Sequence, residues 1–137
     1  MTPFRDGNSH SLVMCREYLG KEVTLEIDQA YGTTYKGAVY EANYGFVPGT
    51  VAPDGLGLDG YFLGPQEPLT TATGMCIAIV HRLEDDDDKL IVVEKGSQWS
   101  KEQVAQAVHF KEQHFKHEII LWNEISPKEA SVAAEQQ

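Results

Sequence analysis

Glu22-Val-Thr-Leu-Glu-Ile-Asp28 alternates strictly, with Val23, Leu25 and Ile27 on one face and Glu22, Thr24, Glu26 and Asp28 on the other. A period of two belongs to a strand with one face buried and the other in water. Working outward, Tyr31 to Tyr35 holds a turn, Gly37 to Tyr40 a second strand, and Gly45-Phe-Val-Pro-Gly49 a strand running into a loop. Pro53-Asp-Gly-Leu-Gly57 is rich in turn formers, and Leu58 to Leu63 makes a further strand closed by Gly64-Pro65. Thr73 to His81, rich in Ile and Val, reads as a buried strand. It turns at an acidic tip, Glu84 to Asp88, and returns as Leu90 to Val93. Ser100 followed by Gln103 is a capping-box signature. It predicts a helix to about Lys116 with Val104, Ala107, Val108 and Phe115 on one side. Ile119 to Trp122 is either a final strand or the docked end of that helix. About five or six short strands before one helix predict a mainly β fold, a small barrel with a C-terminal helix.

The chain has 137 residues, with Lys+Arg 11 against Asp+Glu 21 and a formal charge of −10. A chain of this length buries about two-thirds of its unfolded surface, enough for one domain without a metal or disulfide to hold it together. The expected organisation is a single domain over 1–125 and a loose tail over 126–137, which lacks apolar periodicity. Apolar residues at 42% and charged residues at 23% exclude wholesale disorder. The sign of the charge excludes a general nucleic-acid binder, whose affinity comes from Lys and Arg displacing counterions. Cys15 and Cys76 form no CxxC pair and have no histidine at zinc-ligand spacing, so both read as reduced intracellular thiols. Met1 to His10 lacks the apolar stretch of a secretory signal, and the longest apolar run, Met75 to Val80, is far short of a membrane span. These features predict a soluble cytoplasmic protein without a membrane partner.

Two acidic groups stand out. Asp54 and Asp59 flank Gly55-Leu-Gly-Leu58, so a glycine-bearing turn can bring both carboxylates to one side, as hard cations such as Mg²⁺ require. An ordinary Asp-Gly turn with no cation accounts for the same residues. Glu84-Asp-Asp-Asp-Asp88 is equally a solvated hairpin tip or a cation site. The spacing of His109, His114 and His117 does not put all three on one helix face, which argues against metal ligation there. Lys111, in the middle of the apolar stripe, and Lys116, near its end, either reach a polar cleft or snorkel to solvent.

With Asp54-Gly-Leu-Gly-Leu-Asp59 following Tyr40-Glu-Ala-Asn-Tyr-Gly45, the chain resembles the soluble inorganic pyrophosphatases. That family carries a Tyr-Pro-x-Asn-Tyr-Gly segment before an Asp-Gly-Asp-Pro-x-Asp signature. Glu22 to Asp28 is similar to its early strand, Asp87-Asp88-Lys89 to its Asp-x-Lys ending, and His114-Phe-Lys116 to its His-Tyr-Lys helix motif. The resemblance implies a five-stranded, OB-like closed barrel with helices packed beside it. It implies hydrolysis of pyrophosphate to two phosphates, with Mg²⁺ or in its place Mn²⁺, and a homo-oligomer. Carried over by position, Asp54, Asp59 and Asp87 match metal-binding aspartates, and Glu84 stands where another acidic ligand is expected. Tyr44, Lys89 and Lys116 match groups that hold phosphate oxygens, and Glu26 matches the active-site glutamate. Lys36 stands in for one of the family's basic residues, and Tyr44, Asp54 and Lys89 are the expected catalytic group.

Four positions depart from the pattern. Leu56 replaces the middle signature aspartate, Gly57 the signature proline, Glu41 the proline after Tyr40, and Phe115 the tyrosine before Lys116. Loss of a water-activating carboxylate commonly lowers a rate by about 10² to 10⁴. A degenerate relative that binds metal and a phosphate ligand without turnover is therefore the alternative reading.

Overall fold

The computed structural model describes residues 9–124. A short helix α1 (His10–Arg16) precedes strands β1 (Glu22–Gln29), β2 (Thr34–Tyr35), β3 (Ala38–Val39), β4 (Asn43–Val47), β5 (Leu58–Leu63), β6 (Thr71–Arg82) and β7 (Lys89–Val93). Helix α2 (Lys101–Glu112), strand β8 (His117–Leu121) and a 3₁₀ turn (Trp122–Glu124) follow. Strand order β1-β4-β5-β7-β6, with β6 pairing back to β1, closes a five-stranded barrel. All its ladders are antiparallel except β5–β7, and β2 and β3 form a separate small hairpin.

Strand β6 makes the closure possible. Its first half, Thr71 to Met75, pairs with β1, and its second half, Ala78 to Arg82, pairs with β8. Between them the register against β7 slips from Cys76 to Ala78, a bulge that bends a long strand from one neighbour to another. Gly45 is required where β4 meets β1, because a Cβ there would lie 1.8 Å from the Glu26 carbonyl oxygen.

Alternation along the strands divides the core. Val23, Leu25, Leu58, Phe62, Leu90 and Val92 fill the barrel, whose end is covered by Leu12 and Cys15 of α1. Tyr44, Tyr61, Leu63, Ile91 and Val93 face outward and are covered by Val104 and Val108 of α2. Asp59 and Lys89 share parity with this second set, so they lie on the barrel's α2-facing surface.

Several sequence expectations change. Helix α2 ends at Glu112, short of Lys116; Phe115 leaves the helix and is 40% exposed. Ile119 to Trp122 resolves into the end of β8 and the start of the 3₁₀ turn. Helix α1 has no counterpart in the sequence reading, because its buried side holds Ser11 and Cys15 beside a single leucine, too weak an apolar stripe to read. The expected tail over 126–137 lies outside the described residues. No described helix is long and apolar enough to cross a membrane, and Cys15 and Cys76 are buried free thiols.

Candidate active site

Parallel pairing of β5 with β7 puts Gly60 opposite Leu90, which sets Asp59 and Lys89 side by side at the entrance to both strands. Lys89 Nζ donates to Asp59 Oδ2 at 2.9 Å and lies 2.8 Å from Asp87 Oδ1. Asp54 reaches the same place from the turn before β5, where its Oδ1 accepts the Leu56 N–H at 2.9 Å. Ligand oxygens of Asp54, Asp59 and Asp87 all lie within 4.8 Å of one another. Burial raises the Asp87 carboxyl above its ordinary pKa, against the pull of Lys89. The trio is exposed at Asp54 and half-buried at Asp59 and Asp87, so it is open to an ion from solvent.

Cross-strand register adds further residues to this surface. Tyr44 stands opposite Tyr61, while Glu26, Phe46 and Asp59 occupy one row across β1, β4 and β5. Tyr44 is 7% exposed, and burial, followed by the Asp59 charge, pushes its phenol well above the usual range. Lys111 Nζ lies 3.8 Å from the centre of the Tyr44 ring, and Lys89 Nζ lies 5.6 Å from it. Asp28 is drawn into the same field, its carboxyl raised by burial and then by Asp59.

Asn43 explains why Asn precedes Tyr44. Its buried side chain accepts the N–H groups of Tyr31 and Leu69, both at 3.0 Å, and donates to the Glu67 carbonyl at 3.0 Å. Two loops are thereby tied to the start of β4. Gly45 then permits the close approach to β1, so the segment Asn43-Tyr44-Gly45 fixes the Tyr44 ring over the site.

Residues 17–130 match the family profile described as inorganic pyrophosphatase. The chain belongs to the inorganic pyrophosphatase family. Its fold is similar to the inorganic pyrophosphatase of Ehrlichia chaffeensis, with TM-score 0.60 and 16% identity over 77% of this chain and 88% of that one. The Helicobacter pylori pyrophosphatase gives TM-score 0.58 and 18% identity over 85% and 94%. The Coxiella burnetii protein gives 0.56 and 18% over 75% and 88%. At such identities the likeness is one of fold, and it agrees with the closed barrel and C-terminal helix expected from the sequence. A comparison with curated protein sequences finds no significant match.

Within this pyrophosphatase fold the expected site residues divide. Asp54, Asp59, Asp87, Lys89 and Tyr44 converge. Glu26 is aligned with them by register and is exposed. Glu84 does not join the trio; it pairs with Lys116 at 3.8 Å, both side chains largely in solvent. Lys36 sits on the exposed β2–β3 hairpin with φ 51°, its ammonium 5.3 Å from the Tyr35 ring. No histidine joins the acidic trio among the described residues.

Sequence reasoning missed the buried network beneath the site. Arg82 Nε donates to Glu112 Oε1 at 2.7 Å and its Nη2 to Oε2 at 3.2 Å, while Tyr61 OH donates to Oε2 at 2.6 Å. Arg82 Nη1 also donates to Asp85 Oδ2 at 2.9 Å and lies 4.0 Å from Asp87. Phe115 closes the arrangement, its ring centre 3.7 Å from the guanidinium carbon. One signal was available: Glu112 continues the buried positions Val104 and Val108, so a carboxylate lies on the buried face of α2.

Proposed function

We propose that this chain hydrolyses inorganic pyrophosphate to two phosphates with Mg²⁺, or Mn²⁺ in its place. The observation that carries the reading is the convergence of Asp54, Asp59 and Asp87 within 4.8 Å beside Lys89. Three carboxylates offering hard oxygen ligands at an open site fit a small divalent cation. Bound there, the ion would neutralise substrate charge and lower the pKa of a water. Asp54 has one oxygen on the Leu56 N–H, and the other can accept a proton from the attacking water. Lys89 and the protonated Tyr44 phenol can donate to phosphate oxygens as charge builds on the leaving group. Lys36, Glu84 and Lys116 belong to the proposed site through resemblance alone, whereas Glu26 is also in register with Asp59. The same reading makes the protein a cytoplasmic homo-oligomer.

A second reading is favoured by Leu56, which stands 69% exposed on the signature turn and offers no carboxylate there. It describes a degenerate relative that holds metal and phosphate without turnover. Variants separate the two. Under the hydrolytic reading Asp54→Asn abolishes phosphate release, and Leu56→Asp raises it by about tenfold or more. Under the binding reading neither protein nor variant releases phosphate, yet Mg²⁺ with pyrophosphate raises the melting temperature. Absence of both release and thermal shift contradicts both readings.

A further inference from the structure

Helix α1 (His10–Arg16) lies before residues 17–130, the stretch that matches the family profile, and yet it grips the acidic tip at two points. The Ser11 N–H donates to Asp86 Oδ1 at 2.7 Å, and Ser11 Oγ accepts the Asp88 N–H at 2.9 Å. One buried serine thus holds both chain neighbours of Asp87, the first by its side chain and the second by its backbone. These contacts join residues 75 and 77 positions apart, so nothing local imposes them.

Asp88 is fixed from β6 as well. Its Oδ1 accepts the Arg82 N–H at 2.8 Å, and its Oδ2 lies 2.8 Å from His81 Nδ1, with both side chains of that pair buried. The Asp86 carboxylate faces α1, 3.6 Å from the His10 imidazole. With Asp86 turned to α1 and Asp88 to β6, Asp87 is the one of the three that presents its carboxylate to Lys89 Nζ, 2.8 Å away, and to Asp54 and Asp59. A ligand on a loose acidic tip would have to be ordered each time a cation bound, against conformational entropy and the repulsion of its neighbours. Bonds already made in the free protein remove that cost and orient the ligand beforehand.

We infer that Ser11 is a positioning residue of the site: by gripping Asp86 and Asp88 it holds the Asp87 carboxylate where Asp54 and Asp59 can share a divalent cation with it. The assignment rests on the proposed cation reading and adds α1 to the apparatus of the site. A helix that only covered the barrel end would account for the packing of Leu12 and Cys15. It would not account for polar contacts from one serine to both sides of one aspartate.

The test is calorimetric titration of Mg²⁺ into the full chain, comparing wild type with Ser11→Ala, Asp86→Ala, Asp86→Asn and Leu12→Val, with a melting temperature for each. Loss of a group that orients a metal ligand predicts a Kd for Mg²⁺ weakened about tenfold in Ser11→Ala and in Asp86→Ala. Asp86→Asn gives up the charge but keeps an oxygen for the Ser11 N–H, so its affinity stays within about threefold of wild type. Leu12→Val thins the apolar packing of the same helix; it lowers the melting temperature and changes Mg²⁺ affinity by less than about twofold. Unaltered affinity in Ser11→Ala and Asp86→Ala overturns the assignment, as does the absence of Mg²⁺ binding by wild type. Weakening in Leu12→Val or Asp86→Asn as large as in Ser11→Ala also overturns it, since general loosening or charge would then be the cause. Phosphate release from pyrophosphate by the same proteins separates this claim from hydrolysis. Ser11-dependent Mg²⁺ binding without wild-type release keeps the positioning role and removes hydrolysis. Release with Ser11-independent Mg²⁺ binding does the reverse.

Discussion

Glu112 has no exposed surface, yet carries a charge, and its two oxygens receive Arg82 and Tyr61 from two different strands. Its carboxyl is pushed up by burial, but the Arg82 hydrogen bonds and charge outweigh that and hold its pKa below the usual value. Removing one partner of a buried ion pair leaves the other uncompensated, so Glu112→Ala is expected to cost about 3–5 kcal/mol in urea unfolding. The sign of the pH effect follows. A depressed native pKa gives stability that is present above the unfolded value of 4.5 and lost as pH falls through the native one. Glu112→Gln should therefore flatten the acid side of the stability profile relative to wild type; an unchanged slope contradicts this role. At this scale Asp54, Asp59, Asp87 and Lys89 were legible, because each lies in a short motif. Arg82, Tyr61 and Glu112 were not, because their contacts join β5, β6 and α2 and no local spacing encodes that meeting.

Among elements, β1 and β5 were legible because alternation and turn formers bound them, and the start of α2 because Ser100 and Gln103 do form the capping box. The end of α2 was not, since Phe115 gives up helical packing to stack on Arg82 and the chain must turn to pair β8 with β6. The acidic tip was half legible. Its four aspartates are bound inward while Glu84 stays in solvent: Asp85 to Arg82, Asp86 to the Ser11 N–H at 2.7 Å, Asp87 to Lys89, and Asp88 to His81 at 2.8 Å. Ser11 Oγ in turn accepts the Asp88 N–H at 2.9 Å, so α1 secures the tip beside the site. Closure of the barrel depends on backbone proximity at Gly45. Gly45→Ala puts a methyl against the Glu26 carbonyl and is expected to break the β1–β4 ladder. Circular dichroism melts should then show loss of the cooperative transition; a wild-type melt contradicts the close approach.

Over the whole molecule, the formal charge of −10 excludes polyanions only while it is treated as uniform. The fold draws Asp54, Asp59 and Asp87 together and brings Lys89 and Lys111 to the same outer face, so acidic and basic groups meet at one place on an acidic protein. The site lies outside the barrel, roofed by α2, where two strand entrances and a turn meet. That convergence is a property of topology, and composition could not reveal it. The most direct test follows pyrophosphate by phosphorus NMR with the full chain and Mg²⁺. The proposed hydrolysis predicts conversion to inorganic phosphate above the enzyme-free rate, stopped by EDTA and by Asp54→Asn. Pyrophosphate persisting as in buffer, at high protein concentration with either Mg²⁺ or Mn²⁺, would contradict it.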